Sequence, residues 1–234
     1  LLQQTSEWRG MLWSKPDVVD HNRNVGGNSP PNMNAGSGGK NAKKGEERAY
    51  RRPGTYWEYN DVRVNRLSLA LMRVLGQPLP GVLHEKIMCP IGCSSTTWDW
   101  HGYSTSWEKL SPSGVWAKGV SGGGHWGGGL HISSRNHARF GLLLARGGKW
   151  GDKQIIPEGW VERATRPCAL NEEYGFMWWL PKASNTMLPR TSFMARGAGG
   201  NFIFVDPASD VVVVARWCSD RDGLLKRIMQ ALTL

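Results

Sequence analysis

The sequence predicts an α+β fold, in which an antiparallel sheet is flanked by helices and accompanied by a helical region. Helical patterns fill much of the first half of the 234-residue chain, and three strand patterns follow one another near its end, before a closing helix. Consecutive strands usually lie side by side, and short connections pair them antiparallel. A chain of this length buries a substantial core, so we expect one domain over residues 1–234.

The first fifty residues divide into a compact beginning and a long irregular segment. Residues 1–13 open with an apolar pair and a polar turn, whereas residues 18–49 are rich in Gly, Asn, Pro and Lys and lack hydrophobic periodicity. Such a composition predicts a long loop or a disordered insertion over residues 18–49. The chain begins with Leu, without a basic stretch before an apolar one, so we expect its start to lie inside a longer protein or to have been processed.

The central element is residues 53–76, where a turn and three aromatic residues precede a helical pattern. Asp61 is predicted to cap this helix, because its carboxylate accepts hydrogen bonds from first-turn N–H groups. Gly76 suits the left-handed position that ends a helix, and Pro78 prevents continuation. Tyr59, held just before a rigid helix, would have its hydroxyl fixed in space, which is typical of a site residue. A core helix preceded by aromatic residues is the alternative.

Capping residues and periodicity predict the other helices, and apolar runs bounded by turns predict the strands. The further helices are 80–88, 133–145 with Ser133 as its cap, a short helix within 155–165, and 224–232. The strands are 174–180, 193–205 and 211–217.

The net charge of +10 is spread along the chain except for one dense basic cluster. This cluster consists of Lys40, Lys43, Lys44, Arg48, Arg51 and Arg52, offset in part by Glu46 and Glu47. Because it lies in low-complexity sequence, we interpret it as a solvated loop rather than a nucleic-acid surface. The longest aliphatic run, residues 211–215, is far shorter than the roughly 20 residues of a membrane span. We therefore expect no nucleic-acid partner and no transmembrane segment.

The cysteine content indicates free thiols. The chain has Cys89, Cys93, Cys168 and Cys218, too few for a protein of this size to depend on disulfides. Cys89 and Cys93 have a spacing found in metal sites, but no second Cys or His pair lies at ligand spacing. We expect buried free thiols, no metal and no other cofactor.

Four short motifs occur in a fixed order along the chain. They are LLQQTSEW (1–8), PGTYWEYND (53–61), PIGCSSTTW (90–98), and GGL with SSRNHARFG (128–141). A fifth segment, ARGAGG (195–200), is followed by a strand, Asp206-Pro207 and a strand. Together they resemble the penicillin-recognising serine hydrolases: class C β-lactamases, D-alanyl-D-alanine carboxypeptidases and related esterases and amide hydrolases. The resemblance covers nearly the whole chain outside residues 18–49.

The resemblance implies a β-lactamase/transpeptidase-like fold and acyl transfer from an amide, ester or β-lactam, with a small-molecule or peptide substrate. In this family a Ser in the motif S-x-x-K attacks a carbonyl, while its Lys and a motif Tyr move the proton. By resemblance, Tyr59 is the proton carrier. Gly199 would supply an oxyanion N–H from a strand edge, a turn glycine being the alternative. The resemblance also favours an exported or periplasmic protein.

Two of the implied substrate-binding positions depart from the family pattern. Asp61 stands where the motif usually has Asn, and an ionised Asp accepts hydrogen bonds without donating any. Arg196 stands where the family has Lys or His, and it would bind a carboxylate as a fork. His125 and Trp126, in the glycine-rich residues 111–129, are assigned to the lining of the cleft.

The nucleophile is missing from this pattern. S-x-x-K occurs at Ser37/Lys40, in a Gly-Ser-Gly-Gly context that does not start a buried helix, and at Ser106/Lys109, which follows the Tyr motif instead of preceding it. In the family, the Ser lies upstream of the segment matched by residues 1–8. We therefore expect this chain to lack the nucleophile, its helix and the N-terminal strands, and to be inactive alone.

Two other interpretations stay open. Residues 119–123 (GVSGG) match G-x-S-x-G, the nucleophile elbow of α/β-hydrolases, but glycines follow where that elbow needs a helix. A non-catalytic, Trp-lined binding domain of the same fold would use Asp61 and Arg196 in altered sites. Turnover of an ester reporter by a full-length protein would separate the enzyme from the binding domain.

Overall fold

The computed structural model describes residues 1–23, 43–110, 114–121 and 129–232. They form helices and small antiparallel sheets, which confirms the predicted α+β class. The helices are α1 (Asp61–Leu75), α2 (Leu79–Leu83, continued by a π-helical turn, His84–Met88), α3 (Ser134–Ala145), α4 (Trp160–Ala164) and α5 (Arg221–Ala231). The strands are β1 (Met11–Leu12), β2 (Lys15–Pro16), β3 (Trp98–Trp100), β4 (Gly102–Lys109), β5 (Trp116–Val120), β6 (Leu130–Ile132), β7 (Lys149–Trp150), β8 (Lys153–Gln154), β9 (Phe193–Gly197), β10 (Asn201–Asp206) and β11 (Val211–Ala215).

The chain divides into two compact units. The first comprises Leu1–Val82 and Trp100–Leu130, and the second comprises Leu83–Asp99 and His131–Leu234. In the first unit, one side of α1 packs against the antiparallel ribbon of β4 and β5 through a core of Met72, Leu79, Leu110, Ala117 and Val120. The helix also packs against β1 through Leu12, Val62 and Leu69. Burial of these side chains positions α1 against both neighbours.

Helix α1 begins one residue earlier than predicted. The side chain of Asn60 accepts a hydrogen bond from the Arg63 N–H (3.1 Å), so Asn60 is the cap and Asp61 is the first helical residue. The prediction that Asp61 caps the helix is therefore wrong by one position. Gly76 ends the helix in the left-handed conformation (φ 64°), which confirms its predicted role.

A buried charge network of Glu7, Asp17, Arg48, Glu58 and Arg63 fixes the segment in front of α1. Arg48 contacts Glu7 at 2.6 and 2.8 Å and Glu58 at 2.5 and 3.0 Å. Burial alone would lower the pKa of Arg48, but the two glutamates outweigh burial and raise that pKa. The prediction that Arg48 belongs to a solvated basic loop is wrong, because its charge compensates two buried carboxylates.

Arg63, on the first turn of α1, completes the buried charge network. Its side chain is fully buried, 3.1 Å from Glu7, 3.4 Å from Glu58 and 3.5 Å from Asp17. Its Nε also donates to the carbonyl of Trp8 (3.1 Å). One arginine thus joins three separate segments to the beginning of the helix.

The Asp17 carboxylate is held by several donors. It accepts hydrogen bonds from the Gly10 N–H (2.9 Å) and the Tyr50 hydroxyl (2.9 Å), and His21 Nε2 lies 3.2 Å away. Burial acts to raise the pKa of Asp17, but these hydrogen bonds and Arg63 outweigh burial and lower the pKa to about 2. Asp17 is therefore ionised at neutral pH.

The second unit is built around an antiparallel sheet with the strand order β11-β10-β9. Helix α3 packs on β10 and β11, and Gly141 permits a close approach, because a Cβ there would lie 2.6 Å from Val212 and 2.7 Å from Ile203. The helix begins after Ser133, whose hydroxyl accepts from the Asn136 N–H (3.3 Å), as predicted. The predicted helices within 155–165 and 224–232 correspond to α4 and α5.

The prediction of a single strand over residues 193–205 is wrong. These residues form β9 and β10, because the turn Ala198–Gly200 reverses the chain between them. Gly199 and Gly200 have φ values of 73° and 75°, which glycine adopts without steric cost. The third strand of the sheet, β11, lies where the strand 211–217 was predicted.

The prediction of a strand over residues 174–180 is also wrong. Met177 has a φ of 63°, and Gly175 lies so close to the Ala164 carbonyl that a Cβ would be 2.3 Å from its oxygen. Within this stretch, Trp179 exchanges two backbone hydrogen bonds with Met194 of β9 (2.8 and 2.9 Å). Packing against α4 therefore bends an aromatic run that has strand propensity by itself.

All four cysteines are free thiols. Cys93 and Cys168 are buried, Cys218 is partly buried, and Cys89 is exposed, contrary to the expectation that the thiols are buried. Within the described ranges, no helix combines the length and apolarity needed to cross a bilayer.

Candidate active site

In the first unit, the backbone on both sides of Tyr59 is anchored by hydrogen bonds. The Glu58 N–H donates to the Gln4 carbonyl (3.1 Å), and the Asn60 N–H donates to the Gln4 side chain (3.2 Å). The Asn60 side-chain amide also donates to the Asp17 carbonyl (3.0 Å). Because Asn60 caps α1 as well, Tyr59 is held rigidly at the beginning of a helix.

The charges around Tyr59 favour its neutral form. The Arg23 guanidinium carbon lies 5.3 Å from the centroid of the Tyr59 ring, and Arg23 forms an ion pair with Asp61. Burial raises the pKa of Tyr59, the Asp61 carboxylate raises it further, and Arg23 opposes these effects only in part. The Tyr59 hydroxyl is therefore protonated at neutral pH in this environment.

Asp61 is 1 % exposed. Its N–H donates to the Asp20 carboxylate (2.8 Å), and one of its carboxylate oxygens binds Arg23. The other oxygen, Oδ1, is buried without a hydrogen-bond partner among the described residues. Sequence reasoning missed Arg23. The signal that could have predicted a nearby cation was Asp61 at the motif position that usually holds Asn, because a buried carboxylate at a helix start needs a compensating cation.

In the second unit, Arg196 and Gly199 lie close together along the chain. Arg196 is on β9, opposite Phe202 of β10, and its guanidinium carbon lies 5.0 Å from the centroid of the Trp179 ring. Gly199 lies in the turn after β9, so its predicted location on a strand edge is corrected to a turn. The indole of Trp217 covers this glycine, because a Cβ on Gly199 would lie 2.5 Å from the indole Cζ3.

An open cavity in the second unit contains both Arg196 and Gly199. Its other wall is the segment 217–222, between β11 and the first turn of α5. Sequence reasoning missed Trp217, which is 78 % exposed. The structure thus brings Tyr59 together with Asp61 in the first unit, and Arg196 together with Gly199 in the second.

Ser106 and Lys109 do not form a serine–lysine pair. Both are on β4, where residues three apart point to opposite faces. Ser106 is buried, and its hydroxyl donates to the Gly119 carbonyl (3.0 Å), whereas Lys109 is exposed. This pair therefore cannot act as the S-x-x-K of a helix start.

The G-x-S-x-G match also fails to present a nucleophile. Ser121 is buried, and its hydroxyl donates to the Asn65 side chain (3.2 Å). A nucleophile elbow instead exposes its serine at the top of a sheet.

Four of the residues singled out in the sequence lie outside the described residues, namely Ser37, Lys40, His125 and Trp126. Within the described ranges, no group of three or more metal-binding side chains comes together.

Comparison with known proteins gives a consistent picture. The family model described as Beta-lactamase matches residues 37–222. A comparison with curated protein sequences gave no significant match.

Similar solved structures share the fold. A β-lactamase from Mycobacterium bovis is 21% identical over 80% of this chain and 68% of its own, with a TM-score of 0.56. A penicillin-binding protein from Bacillus halodurans is 17% identical over 78% of this chain and 58% of its own (TM-score 0.52). Simvastatin synthase from Aspergillus terreus is 14% identical over 80% of this chain and 55% of its own (TM-score 0.51). The chain thus spans about half to two thirds of the solved chains that it resembles.

Proposed function

Because the chain belongs to the Beta-lactamase family, we propose that it is part of a serine hydrolase that cleaves an amide, ester or β-lactam by acyl transfer. The observation that carries this proposal is the rigid mounting of Tyr59, whose flanking peptides are both hydrogen-bonded in front of a capped helix. A group that transfers a proton during both acylation and deacylation has to keep its position throughout. A small-molecule or peptide substrate fits this chemistry.

Tyr59 carries the proton in this proposal. The nucleophilic serine adds to the substrate carbonyl as its proton moves away, and the leaving group takes a proton as its bond to the carbonyl breaks. A water molecule then adds to the carbonyl of the acyl-enzyme in the same way. The bond to the serine breaks, the serine regains its proton, and the carboxylic acid product is released. With its pKa raised by burial and Asp61, Tyr59 needs a second cation besides Arg23 to act as a base. The lysine of an S-x-x-K segment outside the chain supplies that charge.

The remaining predicted residues serve binding and charge stabilisation. Arg196 binds a carboxylate of the substrate, and the N–H of Gly199 donates to the oxyanion. Their place in one open cavity supports this assignment. Asp61 contributes to the substrate site by holding Arg23 beside the Tyr59 ring. The lining of the cleft by His125 and Trp126 stays a prediction from the sequence.

The nucleophile test compares two proteins, Leu1–Leu234 and an extended protein in which the sequence encoded upstream of Leu1 is restored. We expect only the extended protein to form an acyl-enzyme with nitrocefin or p-nitrophenyl acetate, as seen by burst kinetics and intact mass. We also expect Leu1–Leu234 to aggregate, because β11 is at an edge of its sheet and an unpaired edge promotes association. Replacing the upstream serine by alanine should abolish the burst.

Two results would contradict this assignment. Burst acylation of a soluble, monomeric Leu1–Leu234 would place the nucleophile inside the chain, with Ser37 as the first residue to test. An extended protein that binds substrates without turnover would favour a non-catalytic binding domain instead, a reading that agrees with the neutral form of Tyr59 in this chain.

Arg196→Ala in the extended protein should lower kcat/KM for anionic substrates by about 10- to 150-fold, or roughly 1.5–3 kcal/mol, the range for hydrogen bonds to charged groups. The measurement compares p-nitrophenyl hemisuccinate, which carries a carboxylate, with p-nitrophenyl butyrate, which does not. The butyrate ester should be spared. Arg166→Ala, which removes an exposed arginine paired with Glu162, is the matched control. An equal loss on both esters would indicate a structural role for Arg196.

A further inference from the structure

Trp217, the second residue after β11, has a backbone conformation that is unfavourable for a large side chain. Its φ is 55°, in the left-handed region, which glycine and asparagine adopt far more easily. Burial does not explain it, because the side chain is 78 % exposed. Unfavourable backbone conformations concentrate at functional sites, where the surrounding structure maintains them.

Close contacts hold Trp217 against the turn between β9 and β10. A Cβ on Gly199 would lie 2.5 and 2.8 Å from two carbons of the indole, so only glycine permits this contact. A Cβ on Gly200 would lie 2.1 Å from the Cys218 carbonyl oxygen, and the Cys218 N–H donates to the Gly200 carbonyl (3.1 Å). The indole is therefore fixed at its Gly199 side, and Trp217 is one of the residues that line the open cavity containing Arg196.

Trp217 offers the apolar surface of this wall, because the charged side chains beside it are engaged locally. The Asp220 carboxylate caps α5 by accepting from the Gly223 N–H (2.9 Å). Arg221 forms an ion pair with Asp222 (2.7 Å). Arg221 and Asp222 thus offset each other, Asp220 is engaged as a helix cap, and the large aromatic face remains for a ligand.

We propose that Trp217 forms a subsite for an aromatic acyl group of the substrate. The ring of the acyl group stacks on the indole, while its carbonyl is directed toward the N–H of Gly199. Stacked aromatic pairs gain free energy beyond the burial of their area, which gives preference over small acyl groups. This inference rests on the proposed hydrolase function and adds the class of acyl group to it.

The test measures acyl selectivity in the extended protein, as the ratio of kcat/KM for p-nitrophenyl phenylacetate to that for p-nitrophenyl acetate. The leaving group is the same, so the ratio reports the acyl group alone. Trp217→Ala should lower this ratio about tenfold, and Trp217→Phe should retain most of it. Trp160→Ala, which removes another exposed tryptophan of the second unit, should leave the ratio unchanged.

A second readout separates binding from a structural role. Trp217→Gly should be at least as stable as the parent protein in thermal unfolding, since glycine tolerates the φ of 55°, yet it should lose the selectivity. Unchanged selectivity in Trp217→Ala and Trp217→Gly would overturn the subsite. It would indicate that another part of the protein covers the indole.

The subsite can be judged even if the proposed function fails. Should the parent protein hydrolyse neither ester, binding of phenylacetate and acetate is measured by saturation-transfer NMR. Binding of phenylacetate that is lost in Trp217→Ala and kept in Trp160→Ala would support the subsite without the hydrolase. No preference for phenylacetate over acetate in the parent protein would overturn it.

Discussion

Tyr59→Phe in the extended protein is expected to lower kcat by about 10²–10⁴-fold, the usual range for a positioned acid–base group. The substitution keeps the aromatic ring and its contact with Arg23 and removes only the hydroxyl. Stability should therefore change little, while proton transfer to and from the nucleophile loses its carrier. Steady-state hydrolysis of p-nitrophenyl acetate or nitrocefin, with thermal unfolding of the same samples, measures both effects.

Tyr56→Phe is the matched control for this prediction. Tyr56 is in the same aromatic segment and is buried, with its ring 4.2 Å from the Arg48 guanidinium carbon. Its hydroxyl has no proposed part in the chemistry, so kcat should stay within a few-fold of the parent value. Unchanged turnover in Tyr59→Phe would mean that the aromatic residues before α1 are simply core.

The titration of Tyr59 gives an independent check of the proposed S-x-x-K lysine. Burial and Asp61 raise the pKa of Tyr59 in the chain as it stands, which disfavours the tyrosinate. A lysine ammonium within roughly 4–6 Å would favour the tyrosinate and lower that pKa. Carbon-13 NMR of labelled tyrosine should therefore show a lower pKa for Tyr59 in the extended protein than in a variant whose S-x-x-K lysine is replaced by methionine.

Local signals in the sequence predicted the helices well. Pro78 after Gly76 and the Ser133 cap act within one turn of the chain, so their effects do not depend on distant residues. The cap of α1 was missed by one residue because Asn60 and Asp61 are both good caps. The buried contacts of Asn60 with Gln4 and Asp17, distant in sequence, accompany the observed choice.

Tertiary packing decided the features that sequence reasoning missed. Residues 174–180 have strand propensity, but contact of Gly175 with Ala164 bends them. Arg48 belongs to a basic, low-complexity stretch, and only its pairing with Glu7 and Glu58 shows why it is buried. Such pairings join residues that are 10 to 41 positions apart, and periodicity does not reveal them.

Arg63→Met is expected to destabilise the extended protein by about 3–5 kcal/mol, the cost of removing one partner from a buried ion pair. Methionine fills much of the same volume, so the loss comes mainly from charge. Glu7 and Glu58 would remain buried with Arg48 as their cation, and Asp17 would lose its contact with Arg63. A loss of this size is a large part of the roughly 5–15 kcal/mol that stabilises a typical domain. Urea unfolding at pH 7, followed by far-UV circular dichroism, measures it.

Arg73→Met is the control, because Arg73 is on the same helix, is exposed, and pairs with the partly buried Glu108 (2.9 Å) at the surface. Such surface pairs contribute about 0–1 kcal/mol.

The pH dependence of the stability difference then separates lost charge from lost packing. Asp17 has its pKa lowered to about 2 from 3.8, so the stabilisation from its ionised form is complete above pH 3.8 and disappears as the pH falls toward 2. The difference between Arg63→Met and the parent protein should shrink over that interval as Asp17 is protonated. A difference that stays constant with pH would show that packing, not charge compensation, is what Arg63 contributes.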